Sequence, residues 1–400
     1  MHEQTMSTAR LCYQINLQQG FGGGEVYTVF FTRALLEAGW QTRIFINPDN
    51  TCWARRLPAG ADTLPLEHID ALSAALPPTP AMLFFHAPPP ETVFDALHRQ
   101  GHRICIFAHM PLYGRNPAPF RKADRIIAVS QHVIDSLHAA GLEQYHPVPM
   151  LGLAQLERNI DTKAQNLIVR NRLYDWDKRK VRERLARCLA PLVTPIVASV
   201  MPRRYFERRP GLTLGIVSRL TPIKQFPLLF SSLAPLLAQQ PDIHLEIFGD
   251  GAYASVRDLR QALRPLRGRY RFWGHQDNVQ AVYRQLDALL TGLPEKEALG
   301  LNVIEAQFCG IPVLAVDAPP FSETVADGIT GWRYRDPRLD GGQDFLRALA
   351  LLRQGLNAAP ASRQAHLAQF TFPAFVERVR ILMDALSPLL QGSQDEQDHS

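Results

Sequence analysis

Short apolar runs alternate with longer segments of helical period through almost the whole chain, and the pattern occurs twice. In the first half, the runs at 10–16, 42–46, 81–86, 103–108 and 125–129 predict buried strands, and 25–38, 91–99 and 131–140 predict the helices between them. Such alternation implies a mostly parallel sheet covered on both faces, because parallel strands need a crossover whose helix buries its apolar stripe on the sheet. After Gly211 the pattern restarts, with strands at 213–217, 243–248, 271–273, 287–290 and 312–316 and helices at 226–239, 253–263, 279–285 and 301–309. No sequence repeat relates the halves, so architecture recurs without a solenoid. The expectation is an α/β chain. It comprises a doubly wound, Rossmann-like domain over 1–153, a joining segment over 154–210 and a second such domain over 211–371. A C-terminal helix over 372–390 packs back toward the first domain, and 391–400 is a polar, disordered tail. Two such sheets facing each other would leave a cleft lined by C-terminal strand ends, where open α/β sheets bind ligands.

Composition narrows the class. With 400 residues, 46% hydrophobic and 20% charged, the chain is a folded one rather than a disordered one. No apolar run reaches the roughly 18 residues of a spanning helix, and the N-terminus lacks the hydrophobic core of a signal peptide. A cytoplasmic protein is therefore expected. Five cysteines, Cys12, Cys52, Cys105, Cys188 and Cys309, stand far apart with no C-x-x-C pair, and read as reduced core residues. The formal charge is +5, yet ten basic residues against two acids fall between Lys178 and Arg209, leaving the rest of the chain mildly acidic. A block of this kind calls for a specific anionic partner: a membrane surface, an acidic substrate or nucleic acid.

Chemistry is sought in the loops at strand ends. The first strand leads into G-F-G-G-G-E, where Gly22, Gly23 and Gly24 permit close backbone approach and a helix start offers free N–H groups. The spacing is not G-x-G-x-x-G, since Glu25 takes the place of the last glycine, so a nicotinamide site is disfavoured; a tight turn and a phosphate or acceptor site are equally open. His86 and His109 end two strands on one predicted rim; a lone histidine is more often a hydrogen-bonded surface residue, and His109 stands out by its position. In the second half, Arg219 and Lys224 follow a strand, a fork and a point charge suited to a diphosphate. The I-F-G-D-G turn holds Gly249 and Gly251. Between Pro294 and Val316, Glu297 falls in the loop before a helix and Glu305 about one turn inside it, with Gly300, Leu301 and Asn302 at the helix mouth. Two carboxylates for hydroxyls with backbone N–H groups between them suit a sugar, a diphosphate and a ribose in line.

These residues together resemble the retaining nucleotide-sugar glycosyltransferases of the GT-B fold, glycosyltransferase family 4. The likeness rests on the glycine loop at Gly22–Gly24, strand-end His109, A-D-R-I-I-A-V-S ending at Ser130, R-L-x-x-x-K from Arg219 to Lys224, F-G-D-G, and above all E-x7-E at Glu297 and Glu305. The resemblance implies two Rossmann-like domains facing across a cleft. It also implies that Arg219 and Lys224 bind the donor diphosphate and stabilise the departing charge. Glu297 would contact sugar hydroxyls and Glu305 the ribose, while His109 would line the sugar site. Gly249 and the 300–302 mouth would hold the nucleotide, 272–279 would surround the base, and Gly22–Gly24 would lie near phosphate and acceptor. It further implies retained configuration by front-side attack, with no metal and no cofactor; the nucleotide-sugar is a substrate. The chain departs from the family's pattern where Leu293 and Pro294 replace a Pro-Ser pair, and where Ala318-Pro319-Pro320-Phe321 replaces paired glycines.

Asp175-Trp176-Asp177 has the D-x-D form of metal-dependent glycosyltransferases, but it precedes a helical pattern, and helix capping is the better reading. The segment 154–210 reads as an insertion whose apolar stretch 189–201 is flanked by cations. Thirteen residues cannot span a bilayer, yet an apolar patch with basic flanks suits an anionic interface, so docking of 178–209 to the inner face of the plasma membrane competes with a merely solvated helix. The leading function is transfer of a sugar from a UDP- or GDP-linked donor to a glycan or lipid-linked acceptor in bacterial surface polysaccharide or lipopolysaccharide synthesis. A sugar-nucleotide epimerase of similar fold, and a non-catalytic binder of anionic surfaces or nucleic acid, are the alternatives. No nucleic acid partner is expected, because the basic segment lacks regular aromatic interleaving.

Overall fold

The structure, a computed structural model, describes residues 10–20, 22–49, 53–154, 168–170, 181, 185, 188–189, 204–251 and 253–397. The chain forms two compact units, one of residues 1–153 with 368–400 and the other of 154–367.

The first unit is built on six parallel strands: β1 (Leu11–Asn16), β2 (Gln41–Ile46), β3 (Asp62–Pro65), β4 (Met82–Phe85), β5 (Arg103–Ala108) and β6 (Arg125–Ala128). Their order is β3-β2-β1-β4-β5-β6, so the winding reverses between β1 and β4. The central strands are buried on both faces, which is why they read as continuous apolar runs. Edge strand β3, D-T-L-P, carries no such run and escapes the sequence reading. Helix Gly23–Glu37 lies on the sheet with Phe31 edge-on to Phe84 and Phe107 at 4.9 Å each. It stops at Gly39, whose φ of 82° closes a Schellman turn: Trp40 N–H donates to Leu35 O and Gly39 N–H to Leu36 O. Ser130 caps helix Gln131–Ala139 by accepting from Val133 N.

The C-terminal helix, Phe372–Gln397, belongs to this unit. Phe375 is fully buried and meets Tyr27 and Phe30 edge-on, Arg33 lies 4.2 Å over the Phe372 ring, and Arg103 Nε donates to Leu389 O. The helix continues seven residues beyond 390, so that stretch of the polar tail is helical, not disordered. Polar residues with adequate helix propensity simply extend a helix already nucleated by packing.

The second unit also has six parallel strands: β7 (Leu212–Val217), β8 (Ile243–Phe248), β9 (Tyr270–Gly274), β10 (Ala288–Leu290), β11 (Val313–Val316) and β12 (Gly331–Tyr334), in the order β12-β11-β10-β7-β8-β9. Here the winding reverses between β7 and β10. Its core joins Leu229, Phe230 and Leu233 of helix Phe226–Ala238 to Leu245 and Ile247 of β8 and to Phe345 and Leu349 of helix Gln343–Gln354. Of the joining segment, the described ends pair with each other: Val169 bridges Tyr205 antiparallel, and Arg170 N donates to Arg204 O.

Most of the basic block, Lys178 to Arg203, and the Asp175–Asp177 motif lie outside the described residues apart from 181, 185 and 188–189. Two of the ten cations are engaged internally. Arg208 pairs with Asp287, and Arg209 donates to Glu246, a carboxylate only 1% exposed that also receives Arg271 and Trp273 Nε1. A buried carboxylate needs such partners, so Arg209 serves the fold. Cys12 and Cys105 are buried as expected, whereas Cys188 is exposed and not a core residue. No helix among the described residues is long and apolar enough to cross a membrane.

Candidate functional site

In each sheet the reversal of winding parts two neighbouring loops at the C-terminal strand ends, and that is where the chemistry-bearing residues fall. In the second unit the loop after β7 carries Arg219 and Lys224, and the loop after β10 carries Glu297. The loops are locked together by backbone: Leu293 N donates to Lys224 O, and a Cβ on Gly292 would stand 2.1 Å from that same oxygen. Lys224 Nζ and Glu297 Oε2 form a close ion pair with both side chains mostly covered. Arg219 is exposed and, among the described residues, has no carboxylate partner.

Helix Leu301–Phe308 begins beside this pair. Gly300 caps it at φ 85° and ψ 67°, and the first-turn N–H groups, Leu301 and Asn302 among them, have no intrahelical acceptor by helix geometry. Asn302 uses its side chain to donate to Val217 O, fixing the helix mouth to the end of β7. Glu305 sits one turn in, and its Oε2 accepts from Tyr283 Oη at 2.9 Å. Tyr283 is fully buried, and burial together with the Glu305 carboxylate pushes its hydroxyl well above the usual tyrosine range, so it stays a donor. Tyr283 was not singled out by sequence, since one tyrosine in an apolar helix carries no local signal.

Gly249 has a structural duty. At φ 127° its missing Cβ would lie 2.0 Å from Ser218 O, so only glycine lets the end of β8 pass beneath the loop that carries Arg219. Gly251 does the same against Leu220 O at 2.3 Å. Among the described residues no cluster of three or more His, Cys, Asp or Glu is arranged to hold a metal ion.

In the first unit, His86 follows β4, His109 follows β5, and Asn16 ends β1 at the reversal. The helix starts at Gly23, two residues earlier than expected: Gly22 is its cap in extended conformation, and Gly23 and Gly24 form its first turn rather than an open loop. A Cβ on Gly24 would touch the His109 ring at 3.8 Å, so the glycine brings the helix start against that histidine. Beneath lies a polar ladder. Asn16 Nδ2 donates to Thr28 Oγ1, Gln14 Nε2 donates to Thr32 and Thr42, and His86 bridges Gln14 Oε1 and His109. Burial holds His109 down to about 4, and burial plus the neighbouring His109 lowers His86 well below the ordinary histidine value, so both rings are neutral near pH 7. The signal was present in the sequence: Gln14 and Asn16 are polar at i, i+2 in a strand otherwise apolar, opposite Thr28 and Thr32 at i, i+4.

Residues 203–340 match the family model of glycosyl transferases group 1. The D-inositol 3-phosphate glycosyltransferase of Kribbella flavida is 24% identical over 368 residues, covering 82% of each chain. The protein of the same name from Jonesia denitrificans is 27% identical over 266 residues, 62% of this chain but only 55% of its own, so the chain matches about half the length of that relative. Among solved structures, Anabaena HepE in complex with UDP superposes with a TM-score of 0.63 at 15% identity, over 94% of this chain and 100% of that one. Residues 203–340 are similar to the glycosyl transferases group 1, and the chain has the GT-B fold.

Proposed function

We propose that the chain is a retaining, metal-independent glycosyltransferase that takes a UDP- or GDP-linked sugar and passes it to a glycan or lipid-linked acceptor in surface polysaccharide or lipopolysaccharide synthesis. The observation that carries the reading is the meeting of Lys224, Glu297 and the mouth of helix Leu301–Phe308 at one reversal of the sheet, with Glu305 tethered by Tyr283 behind them. Two cations and a row of N–H groups suit a diphosphate, and carboxylates on either side suit the hydroxyls of sugar and ribose. HepE, a structure solved with UDP, favours a uridine donor. The named activity of the Kribbella and Jonesia relatives favours a hydroxylated acceptor.

On donor binding the Lys224 ammonium exchanges Glu297 for phosphate oxygens, which frees the carboxylate for sugar hydroxyls. The bond from the anomeric carbon to the diphosphate oxygen breaks while the acceptor oxygen bonds to the same face, and the acceptor proton passes to the departing phosphate. Arg219 and Lys224 then act where negative charge develops, which is the most effective place for fixed charge. The cations of 178–204 in the basic block 178–209 are proposed to hold the protein on the anionic inner face of the plasma membrane, Arg208 and Arg209 being paired within the fold. Liposome binding that is unchanged when Lys178, Arg179, Lys180, Arg182, Arg184 and Arg187 are neutralised would remove that part.

The test is the anomeric proton of the first-formed product by NMR, in buffer containing EDTA. The reading predicts the donor's configuration and undiminished turnover. An inverted product, or turnover that needs a divalent ion, contradicts it, and conversion of donor without any acceptor points instead to an epimerase.

A further inference from the structure

The ladder beneath His109 has a direction. Thr32 Oγ1 donates its one proton to Thr28 O at 2.7 Å, so toward Gln14 it can only accept. Gln14 must therefore present Nε2 there and to Thr42, which turns Oε1 toward His86 Nε2 at 3.2 Å. His86 Nε2 consequently carries the ring's proton, and in a neutral imidazole Nδ1 is then bare. That bare nitrogen lies 3.3 Å from His109 Nε2, which must donate to it. His109 Nδ1 is left as an enclosed acceptor with no partner among the described residues.

The ring planes cannot relax this arrangement by rotation. Phe107, His86 and His109 are stacked within 13° of parallel, and the backbone N–H of His86 donates to Ile15 O. Among the described residues no carboxylate shifts either imidazole, and Tyr27 lies edge-on to His109 at 5.4 Å.

We propose that Gln14 and His86 are positioning residues that fix the proton of His109 on Nε2, so that Nδ1 is held as a hydrogen-bond acceptor for a substrate hydroxyl. This rests on the proposed function, which supplies a hydroxylated substrate, but its decisive test needs no sugar. Histidine side chains of the full chain are labelled with 15N, and the tautomers are read by long-range proton–nitrogen correlation at pH 7. Both His86 and His109 are expected as neutral Nε2–H forms. In Gln14→Glu, the new carboxylate accepts from His86 and holds it charged. His86 then donates from both nitrogens, and His109 must flip to the Nδ1–H form. In His86→Phe, which keeps the stack, the His109 tautomers mix and kcat falls about tenfold with donor KM changed less than threefold. His109 found in the Nδ1–H form in the unaltered chain, or unmoved in both variants, overturns the proposal. Tautomers as expected in a protein that transfers no sugar would leave the relay standing and count against the proposed function alone.

Discussion

At the scale of single residues, what sequence reveals and what it hides follow from how local the cause is. E-x7-E and R-L-x-x-x-K are local spacings, and the structure brings Lys224 and Glu297 together from loops 73 positions apart. Tyr283 acts through space from another element, so nothing beside it in the chain marks it, whereas Gln14 is marked only by its polarity two residues before Asn16 in an apolar strand. Tyr283→Phe deletes one hydrogen bond to a charged acceptor; at about 1–2 kcal/mol this predicts a roughly tenfold loss of nucleotide affinity by calorimetry. An unchanged affinity would mean that Glu305 is oriented without it. Gly249→Ala sets a Cβ into the Ser218 carbonyl at a φ that side chains rarely adopt. A loss of about 3 kcal/mol or more in denaturant unfolding is expected, against which a fall below 1 kcal/mol would show that the β8 end shifts freely.

At the scale of elements, periodicity located the central strands and their helices because burial on both faces writes long apolar runs into the sequence. It missed β3 and β12, short strands at the sheet edges, and it left helix Gln343–Gln354 unread although Phe345, Leu349 and Leu352 lie at helical spacing. The glycine loop was legible as glycines but not as a helix start, since Gly23 and Gly24 have weak helix propensity. The C-terminal helix is attached to the first unit through Phe375 packed against Tyr27 and Phe30. Truncating that fully buried ring in Phe375→Ala is expected to cost about 3–5 kcal/mol in unfolding of this unit. Protection of amides in helix Phe372–Gln397 from hydrogen exchange should fall with it, and protection that persists would show the helix to be held by other contacts.

At the scale of the whole molecule, the two units differ in their response to acid. His86, His102, His109, His132 and His146 all lie in the first unit, and burial lowers each below its ordinary value of 6.5, whereas the second unit has only His244 so shifted. Between the folded and unfolded values the unfolded chain binds more protons, so stability falls as pH drops from about 6.5 toward 4. Asp124, Asp242, Asp336 and Asp344 are held below 3.8 by their partners; the stability they contribute is present above that pH and is lost only as pH falls below it, outside this window. Calorimetry from pH 7 to 4.5 is expected to show the first unit's transition moving down and separating from the second's; midpoints that stay together would contradict this division.

The account turns on a nucleotide diphosphate held at the reversal between β7 and β10. The most direct measurement is isothermal titration of UDP and GDP into the unaltered protein and into Lys224→Ala and Glu305→Gln. One nucleotide binding the unaltered chain, with affinity lost at least tenfold in both variants, is the predicted result. Binding that survives both substitutions would place the nucleotide elsewhere and contradict the site.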